Sequence, residues 1–409
     1  MKAHLIMTGL ILSWLISPES LAISGLGAGL SGRMILIPLA AAMGLAALCA
    51  ALIHDRRSPG GRNELASLSP AYGRTAAAAM ALAGRIPAFL FASTAMLVSA
   101  GFAFNEIFVY WFPNFLFASL LLALVCGLHL FHEKAVLWGQ ALFTGIAVLG
   151  LLVLMVMGMG RGGPEAAGPA PSLTGSLFGM AFLLFLGFDF YRPGNQEAKA
   201  VYTAWLPALA LMAGWVLLAV EHVPLPRLAG SSLPHLLVAR AAGGDTGGYV
   251  IGAVVISGAL GGVNGLLLVL RRTLSDLAEK RFLPGTALKG RPAAIMAFIL
   301  VETMMMAGVA GNERIDAMVR ASLMLWMIYT GLRCFAARCR GFSLPEKFYG
   351  SLVAGLVLFL AGAWVTADHD SGFILRFQAS VTTVFLVLAW IWTKTEGLVS
   401  QNTNRRNTP

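Results

Sequence analysis

Apolar residues dominate this chain in long runs, which are separated by short stretches that carry charges, glycine or proline. Each run is close to the roughly 20 apolar residues that an α-helix needs to cross about 30 Å of hydrocarbon. The runs predict membrane spans at residues 4–23, 34–53, 86–111, 114–131, 136–159, 175–191, 203–220, 248–270, 292–310, 316–335, 349–367 and 376–393. The pattern therefore predicts an all-α integral membrane protein with about 12 transmembrane helices.

Composition excludes the soluble classes. Of the 409 residues, 58% are hydrophobic and only 12% are charged, whereas soluble domains carry about 25% charged residues. The longest segments between spans hold about 30 residues, which is too few for a soluble domain with its own core. Binding sites are therefore expected inside the helix bundle, and the sequence gives no indication of a cofactor or a metal site.

The net charge of +10 indicates orientation rather than nucleic-acid binding. With the N-terminus in the cytoplasm, 22 of the 29 Lys and Arg residues, Arg85 and Arg333 among them, fall in cytoplasmic segments. Basic loops are retained on that side of a membrane, where they also contact anionic lipids. The sequence thus predicts a multi-pass protein of the cell (inner) membrane with both termini cytoplasmic, with lipids as partners and without nucleic acid.

The first span has a competing interpretation. Lys2, the apolar run after it, and Ser20, Leu21 and Ala22 together match a cleavable secretory signal. Cleavage would leave 11 of the predicted spans and would remove the first-half counterpart of the sixth span.

Two spans are interrupted by residues that do not favour a helix. The first span carries Ser17–Ser20 (Ser-Pro-Glu-Ser), and the sixth carries Gly187–Gly194 with Asp189 near its start. Interrupting a helix exposes backbone N–H and C=O groups, which a bilayer tolerates only where protein or a water-filled cavity satisfies them. Half-helix ends carry partial charges that suit a carboxylate or an ammonium group. Alternatively, Pro18 and Pro193 are ordinary kinks and the nearby charges mark span ends.

The spacing of the two breaks predicts an inverted repeat. They lie five spans apart, and two five-helix units would run through the membrane in opposite senses, as in many secondary transporters. The predicted units are residues 1–160 and 175–340, followed by two further helices over 349–393 and a cytoplasmic tail over 394–409.

Two segments resemble the amino acid–polyamine–organocation (APC) permease superfamily. Phe185–Asp189 (Phe-Leu-Gly-Phe-Asp), with Glu197 and Lys199 after it, is similar to the unwound part of that superfamily's sixth helix. Ser257–Asn264, followed by Arg271–Pro284, is similar to its eighth helix and the short amphipathic helix that comes next. A third and weaker likeness lies at Asn63–Pro70, which is similar to the segment after that superfamily's second helix.

The resemblance covers about residues 4–340 and implies a leucine-transporter-like fold with a five-plus-five inverted repeat. It implies a secondary transporter that moves amino acids or related small amines by alternating access, with the substrate between spans 1, 3, 6, 8 and 10. In length the chain is similar to bacterial amino acid exporters and exchangers. The family's Gly-Ser/Thr-Gly at the first break is replaced here by Ile16, Ser17 and Pro18, and proline has no N–H to offer a substrate carboxylate.

The predicted site residues lie at the two breaks. Those predicted to bind substrate are Ser17, Pro18, Ser20, Phe185, Gly187 and Phe188. Glu19 and Asp189 are predicted to carry coupling, because an intramembrane carboxylate is costly unless it is paired or titrating. Asp189 could instead pair structurally with Arg192 one helical turn away.

Sodium coupling is not favoured. Sodium-coupled relatives of this fold place side-chain hydroxyls on the eighth helix, because a hard cation prefers oxygen ligands. Gly261 and Gly262 occupy the matching positions here. The prediction is therefore proton coupling or exchange.

Three further polar residues are predicted to be peripheral. Glu302, in the ninth span, is expected to face a neighbouring helix or a homodimer contact. His129 and His132, near the end of the fourth span, are expected to reach the membrane–water boundary.

The sequence favours a transporter over two other classes of membrane protein. A membrane-embedded enzyme is not favoured, because the spans contain neither His-Glu-x-x-His nor Gly-x-Ser-x-Gly nor a clustered set of metal ligands. A channel would also use broken helices, but the sequence lacks filter repeats and rings of polar residues.

Overall fold

A computed structural model of the chain describes residues 2–53, 64–159, 174–190, 198–279, 291–309, 314–337 and 344–406. Within these ranges the protein consists of α-helices joined by short turns, without a strand. The helices are α1 (Lys2–Leu15), α2 (Pro18–Ser31), α3 (Leu36–Ile53), α4 (Glu64–Tyr72), α5 (Arg74–Pro87), α6 (Ser93–Ile107), α7 (Asn114–Leu130), α8 (Glu133–Gly158), α9 (Gly175–Leu184), α10 (Ala198–His222), α11 (Leu225–Ala229), α12 (Pro234–Glu279), α13 (Arg291–Met306), α14 (Ile315–Ala337), α15 (Leu344–Ala367) and α16 (Ser371–Arg406).

The fold class predicted from the sequence is confirmed. In the described part of the chain, eight helical segments are long and apolar enough to cross a membrane. These segments are Pro18–Ile53, Arg74–Ile107, Glu133–Gly158, Ala204–His222, Pro234–Glu279, Ile315–Ala336, Phe348–Ala367 and Ser371–Lys394. Two shorter apolar helical segments, Asn114–Leu130 and Gly175–Phe190, accompany them. The protein is an all-α integral membrane protein, and a helix lies at each of the twelve predicted runs.

The third span begins earlier than predicted. The pattern placed its start at residue 86, whereas the helix begins at Arg74 and continues to Ile107. Its first part, α5, is rich in alanine rather than in large apolar residues. Alanine is a strong helix former, so the helix extends where the hydrophobic signal is weak. Arg85, which the charge count placed in a cytoplasmic loop, therefore lies inside this span and is only 4% exposed.

A π turn over Ala88–Ala92 joins α5 to α6. It follows Pro87, which has no N–H and cannot form the usual helical hydrogen bond to the fourth residue before it. Such turns accommodate one extra residue within an otherwise continuous helix. The span therefore runs on without a break, but α5 and α6 differ in angular register.

The long helix α12 passes through the centre of the bundle. It packs against α1, α2, α6 and α8, and nearly all of its residues between positions 251 and 270 are buried. Gly244, with φ of 60°, separates its first residues from the span itself. The short amphipathic helix predicted after this span is not a separate element, because α12 continues to Glu279. Residues 280–284 of that prediction lie outside the described residues.

Candidate functional site at two helix breaks

The first break separates α1 from α2 at Ile16 and Ser17. Ser17 has extended backbone angles (φ −61°, ψ 153°) and caps α2, because its hydroxyl accepts a hydrogen bond from the N–H of Ser20 at 3.3 Å. Pro18 is the first residue of α2. Proline suits this position, since the first N–H of a helix has no partner within the helix. Pro18 thus starts the second half-helix.

The hydroxyls at this break bond to the break itself. Ser20 donates to the backbone carbonyl of Trp14 at 2.6 Å, and the hydroxyls of Ser17 and Ser20 lie 3.2 Å apart. Both serines are at most 1% exposed. The first break is therefore satisfied largely by its own residues.

The second break directly adjoins the first. After α9, a 3-10 turn over Leu186–Phe190 replaces the α-helix. A Cβ on Gly187 would lie 2.7 Å from the Cβ of Trp14 and 3.1 Å from the carbonyl oxygen of Ile11, so only glycine lets α1 approach this closely. Trp14 also donates its indole N–H to the carbonyl of Leu183 at 2.8 Å. The predicted residues Arg192, Pro193 and Gly194 lie outside the described residues.

Glycines of α12 pack against the first break. A Cβ on Gly258 would lie 2.4 Å from the carbonyl oxygen of Ile16, and one on Gly261 would lie 3.1 Å from the Cβ of Ser13. A Cβ on Gly262 would meet the sulfur of Met96 at 2.8 Å. Gly258 and Gly261 therefore let α12 lie directly against the first broken helix.

Asp189 is held by two arginines from distant spans. Arg333 of α14 donates to Oδ1 at 2.6 Å, and Trp326 donates its indole N–H to Oδ2 at 3.2 Å. Arg85 of α5 forms a further ion pair with Oδ2. All three charged residues are at most 5% exposed. We call Asp189, Arg85 and Arg333 the ionic clamp.

Aromatic rings enclose the clamp. The guanidinium of Arg85 lies 4.9 Å from the ring centre of Trp326 and 5.2 Å from that of Tyr329, and Arg333 lies 5.7 Å from the Tyr329 ring. Cation–π contacts of this kind are strongest away from water. The sequence did not predict either arginine as a partner of Asp189, because the distribution of basic residues placed both in cytoplasmic segments. One signal could have linked Arg85 to Asp189. Arg85 is a lone arginine in an alanine-rich apolar run and Asp189 is a lone acid in a span, and charges within a membrane usually pair with one another.

The predicted phenylalanines of the sixth span are buried. Phe185 and Phe188 are each 1% exposed and pack against Trp205 of α10, with ring centres 5.7 and 6.2 Å apart respectively. Phe190 instead joins Trp14 and Trp326 in a second aromatic group. The turn thus directs its aromatic side chains to two different neighbours.

Glu19 differs from Asp189 in its surroundings. It lies in the first turn of α2, where the partial positive charge of the helix end favours an acid, and it is partly exposed. None of the described residues forms a hydrogen bond with it. Arg320 of α14 contacts Asp368 at 2.8 Å and Asp370 at 2.9 Å, in the turn between α15 and α16.

A chain of buried polar side chains links α7, α8, α12 and α1. His129 and Asn264 lie 2.9 Å apart, Asn264 donates to Gln140 at 2.7 Å, Gln140 donates to Thr144 at 3.2 Å, and Thr144 donates to the carbonyl of Gly9 at 3.0 Å. At the other end Arg271 lies 2.7 Å from Nδ1 of His129. The prediction that His129 reaches the membrane–water boundary was wrong, because this chain holds it inside at 3% exposure.

One described group has the spacing of metal ligands. One ligand atom each of Asp368, His369 and Asp370 lies within 4.8 Å of the others. Both carboxylates are already paired with Arg320. The group lies in the turn between α15 and α16 and shares no residue with either break.

Comparison with known proteins places the fold among membrane transporters. No protein-family profile matches the sequence, and no characterised protein matches it by sequence. Two variants of the manganese transporter of Eremococcus coleocola are similar in structure, each with a TM-score of 0.59, 11% identity, and 96% of this chain and 94% of that chain covered. The same transporter in complex with an aromatic bis-isothiourea substituted compound matches with a TM-score of 0.57 at 11% identity and the same coverage. The chain thus shares the fold of a membrane transporter.

Proposed function

We propose that this protein is a secondary active transporter that moves a small amine or amino acid by alternating access, with the substrate at the two helix breaks. The observation that carries this proposal is the direct contact of the breaks at Trp14 and Gly187, with one acid on each. Broken helices that meet near the middle of a bundle are a recurring way to build a transport site.

The chemistry of the first break favours an ammonium group. Glu19 provides a carboxylate without a hydrogen-bond partner among the described residues, and the C-terminal end of α1 contributes partial negative charge. A substrate carboxylate would find fewer hydrogen-bond donors here, because Pro18 lacks an N–H and the hydroxyls of Ser17 and Ser20 already bond within the break. An amine or a cationic amino acid therefore fits better than an anion.

Of the two predicted coupling acids, we assign the transport role to Glu19. Asp189 lies between two guanidinium groups, which pair with both of its carboxylate oxygens and leave it little capacity to bind a proton or a substrate. Glu19 is partly exposed and forms no ion pair with any of the described residues. Proton coupling or exchange remains the proposed coupling mode, because Gly261 and Gly262 provide packing contacts and no side-chain oxygen.

Divalent metal transport is the rival suggested by the similar structures. Mn²⁺ prefers several oxygen ligands in an octahedral arrangement. The first break supplies one carboxylate, Glu19, and two hydroxyls that are already used. The amine proposal is therefore preferred, and manganese is included in the test.

The test has two stages. Purified protein is first screened by thermal shift against amines, amino acids and Mn²⁺, since a ligand that binds the folded state raises its melting temperature. Uptake of the best ligand into proteoliposomes is then measured with sodium present and with sodium replaced by potassium. We expect an amine to stabilise the protein and transport to persist in potassium.

Glu302→Gln is the matched control for Glu19→Gln. Glu302 of α13 accepts a hydrogen bond from Ser119 of α7 at 2.7 Å, away from both breaks. Glu19→Gln should abolish transport while the protein stays folded, whereas Glu302→Gln should retain it within about three-fold, the effect of a weak peripheral hydrogen bond. Stabilisation by Mn²⁺ alone, or normal transport by Glu19→Gln, would overturn the proposal.

A further inference from the structure

Three neighbouring helices present exposed apolar faces on one side of the bundle. α7 packs against both α8 and α13. The exposed apolar residues of the three helices recur at helical spacing, and they are Leu116, Leu120 and Leu124 on α7, Trp138, Leu142 and Leu149 on α8, and Ile295 and Ile299 on α13. An apolar surface of this kind on an integral membrane protein is a contact surface for lipid acyl chains.

On α8 and α13 the apolar face begins with a cation. Lys134 lies one helical turn before Trp138, and Arg291, the first residue of α13, lies one turn before Ile295. Both cations are exposed, and so is Trp138, at 73%. Tryptophan is enriched at the boundary between membrane and water. The two cations therefore lie where the headgroups of lipids begin.

Lys134 and Arg291 meet at the end of α7. Arg291 donates from Nε to the backbone carbonyl of Leu130 at 3.0 Å. Lys134 follows Leu130 by four residues, so their Cα atoms are at most about 14 Å apart. The acid in this turn, Glu133, contacts Arg272 at 3.9 Å. None of the described residues forms an ion pair with Lys134 or Arg291.

We propose that the end of α7 binds the headgroup of an anionic phospholipid, with the phosphate between Lys134 and Arg291 and the acyl chains along the exposed faces of α7, α8 and α13. Charge complementarity favours an anionic headgroup, because the positive end of a zwitterionic headgroup would face the two cations. The neighbouring apolar faces favour a lipid over a free phosphate, since they add contacts that only acyl chains can make. The site lies on the predicted cytoplasmic side, where membranes carry anionic lipids.

The experiment measures lipid binding and needs no transported substrate. The full chain, solubilised in detergent, is titrated with phosphatidylglycerol or with phosphatidylcholine of the same acyl chains. Native mass spectrometry gives the bound fraction and an apparent Kd for each lipid. A basic residue near the membrane surface raises the affinity for anionic lipid about five-fold. The parent should therefore bind phosphatidylglycerol more tightly than phosphatidylcholine, by about five-fold or more.

The critical variant is Lys134→Gln/Arg291→Gln, which should weaken the binding of phosphatidylglycerol about 25-fold, five-fold for each cation. Arg227→Gln/Arg376→Gln is the matched control. It removes the same charge from exposed residues on the predicted external side, and Arg376 donates to the carbonyl of Gly372 at 3.0 Å just as Arg291 does to that of Leu130. The control should bind phosphatidylglycerol within about two-fold of the parent.

A variant with the opposite sign completes the set. Glu133→Gln removes the negative charge beside Lys134, so it should tighten the binding of phosphatidylglycerol, up to about five-fold. If Lys134→Gln/Arg291→Gln does not fold, the two single variants should each weaken binding about five-fold, and unchanged binding in both would overturn the proposal.

Three results would contradict an anionic lipid site at the end of α7. Equal losses in the two double variants would indicate a general effect of net charge. Equal affinity of the parent for the two lipids would exclude selection of an anionic headgroup. Displacement of the lipid by millimolar inorganic phosphate would indicate a site for a free anion. Each of these results overturns the proposal and leaves the proposed transport function untouched.

Discussion

The two helix breaks satisfy their polar groups in different ways. At the first break, the hydroxyls of Ser17 and Ser20 bond to backbone and side-chain atoms within six residues along the chain. At the second, Asp189 depends on Arg85 and Arg333, which lie 104 and 144 residues away in sequence. The polar groups of the first break are therefore satisfied by nearby residues, and those of the second break by residues of distant spans.

This difference bears on motion. A break that satisfies itself can shift as a unit, since its hydrogen bonds move with it. A break held by partners on two other spans fixes those spans relative to one another, and opening it separates buried charges, which is costly. The first break is therefore the mobile candidate, and the second determines how tightly the bundle is closed. The following predictions test this contrast, from the largest expected effect to the smallest.

Breaking the ionic clamp should have the largest effect. Arg333→Gln leaves a buried carboxylate with one fewer cation, and removing one partner of a buried ion pair costs about 3–5 kcal/mol. The melting temperature in detergent should fall steeply. Arg227→Gln, which removes an exposed arginine, is the control and should melt like the parent. Equal melting of the two variants would contradict the assignment of the clamp.

Separating the two breaks should have the next largest effect. Gly187→Ala places a Cβ 2.7 Å from Trp14, and overpacking of this kind costs about 1–3 kcal/mol. Gly145→Ala is the matched control, because nothing lies within 4 Å of the added Cβ. Thermal melting of both variants is the measurement, and a Gly187→Ala protein as stable as Gly145→Ala would mean that the breaks are not in direct contact.

Deleting a hydroxyl of the first break should have a smaller effect. Ser20→Ala removes the hydrogen bond to the Trp14 carbonyl, and a single neutral hydrogen bond contributes about 1 kcal/mol. Ser20→Thr keeps the hydroxyl and is the control for this loss. A destabilisation as large as that of Arg333→Gln would show that the first break depends on more than local bonds.

The smallest effect is expected where the polar chain reaches α1. Thr144→Ser keeps the hydroxyl, which donates to the carbonyl of Gly9 and accepts from Gln140, and removes only one methyl group, which should cost less than about 1 kcal/mol. Transport and melting should both stay close to those of the parent. A loss of transport with normal melting would show that α8 restrains the first broken helix, and the contrast between the breaks would need revision.

Sequence alone located the breaks but not their partners. Proline and acids within apolar runs are local signals, so Pro18, Glu19 and Asp189 stood out. Arg85 and Arg333 did not, because an arginine at the edge of an apolar run is usually a loop residue. Only the packing of α5, α14 and the 3-10 turn brings them together. The same holds for His129 and Asn264, which are 135 residues apart in sequence and bonded in space.

The π turn at Ala88–Ala92 has a consequence for how the third span tolerates length changes. Arg85, before the turn, points to Asp189, whereas Met96, after it, packs against Gly262 of α12. Each residue of an α-helix adds about 100° of rotation, so deleting a single residue within the turn would rotate one of these side chains away from its neighbour by that angle. A one-residue deletion here would therefore act as a substitution at Arg85 or at Met96, although neither residue had changed.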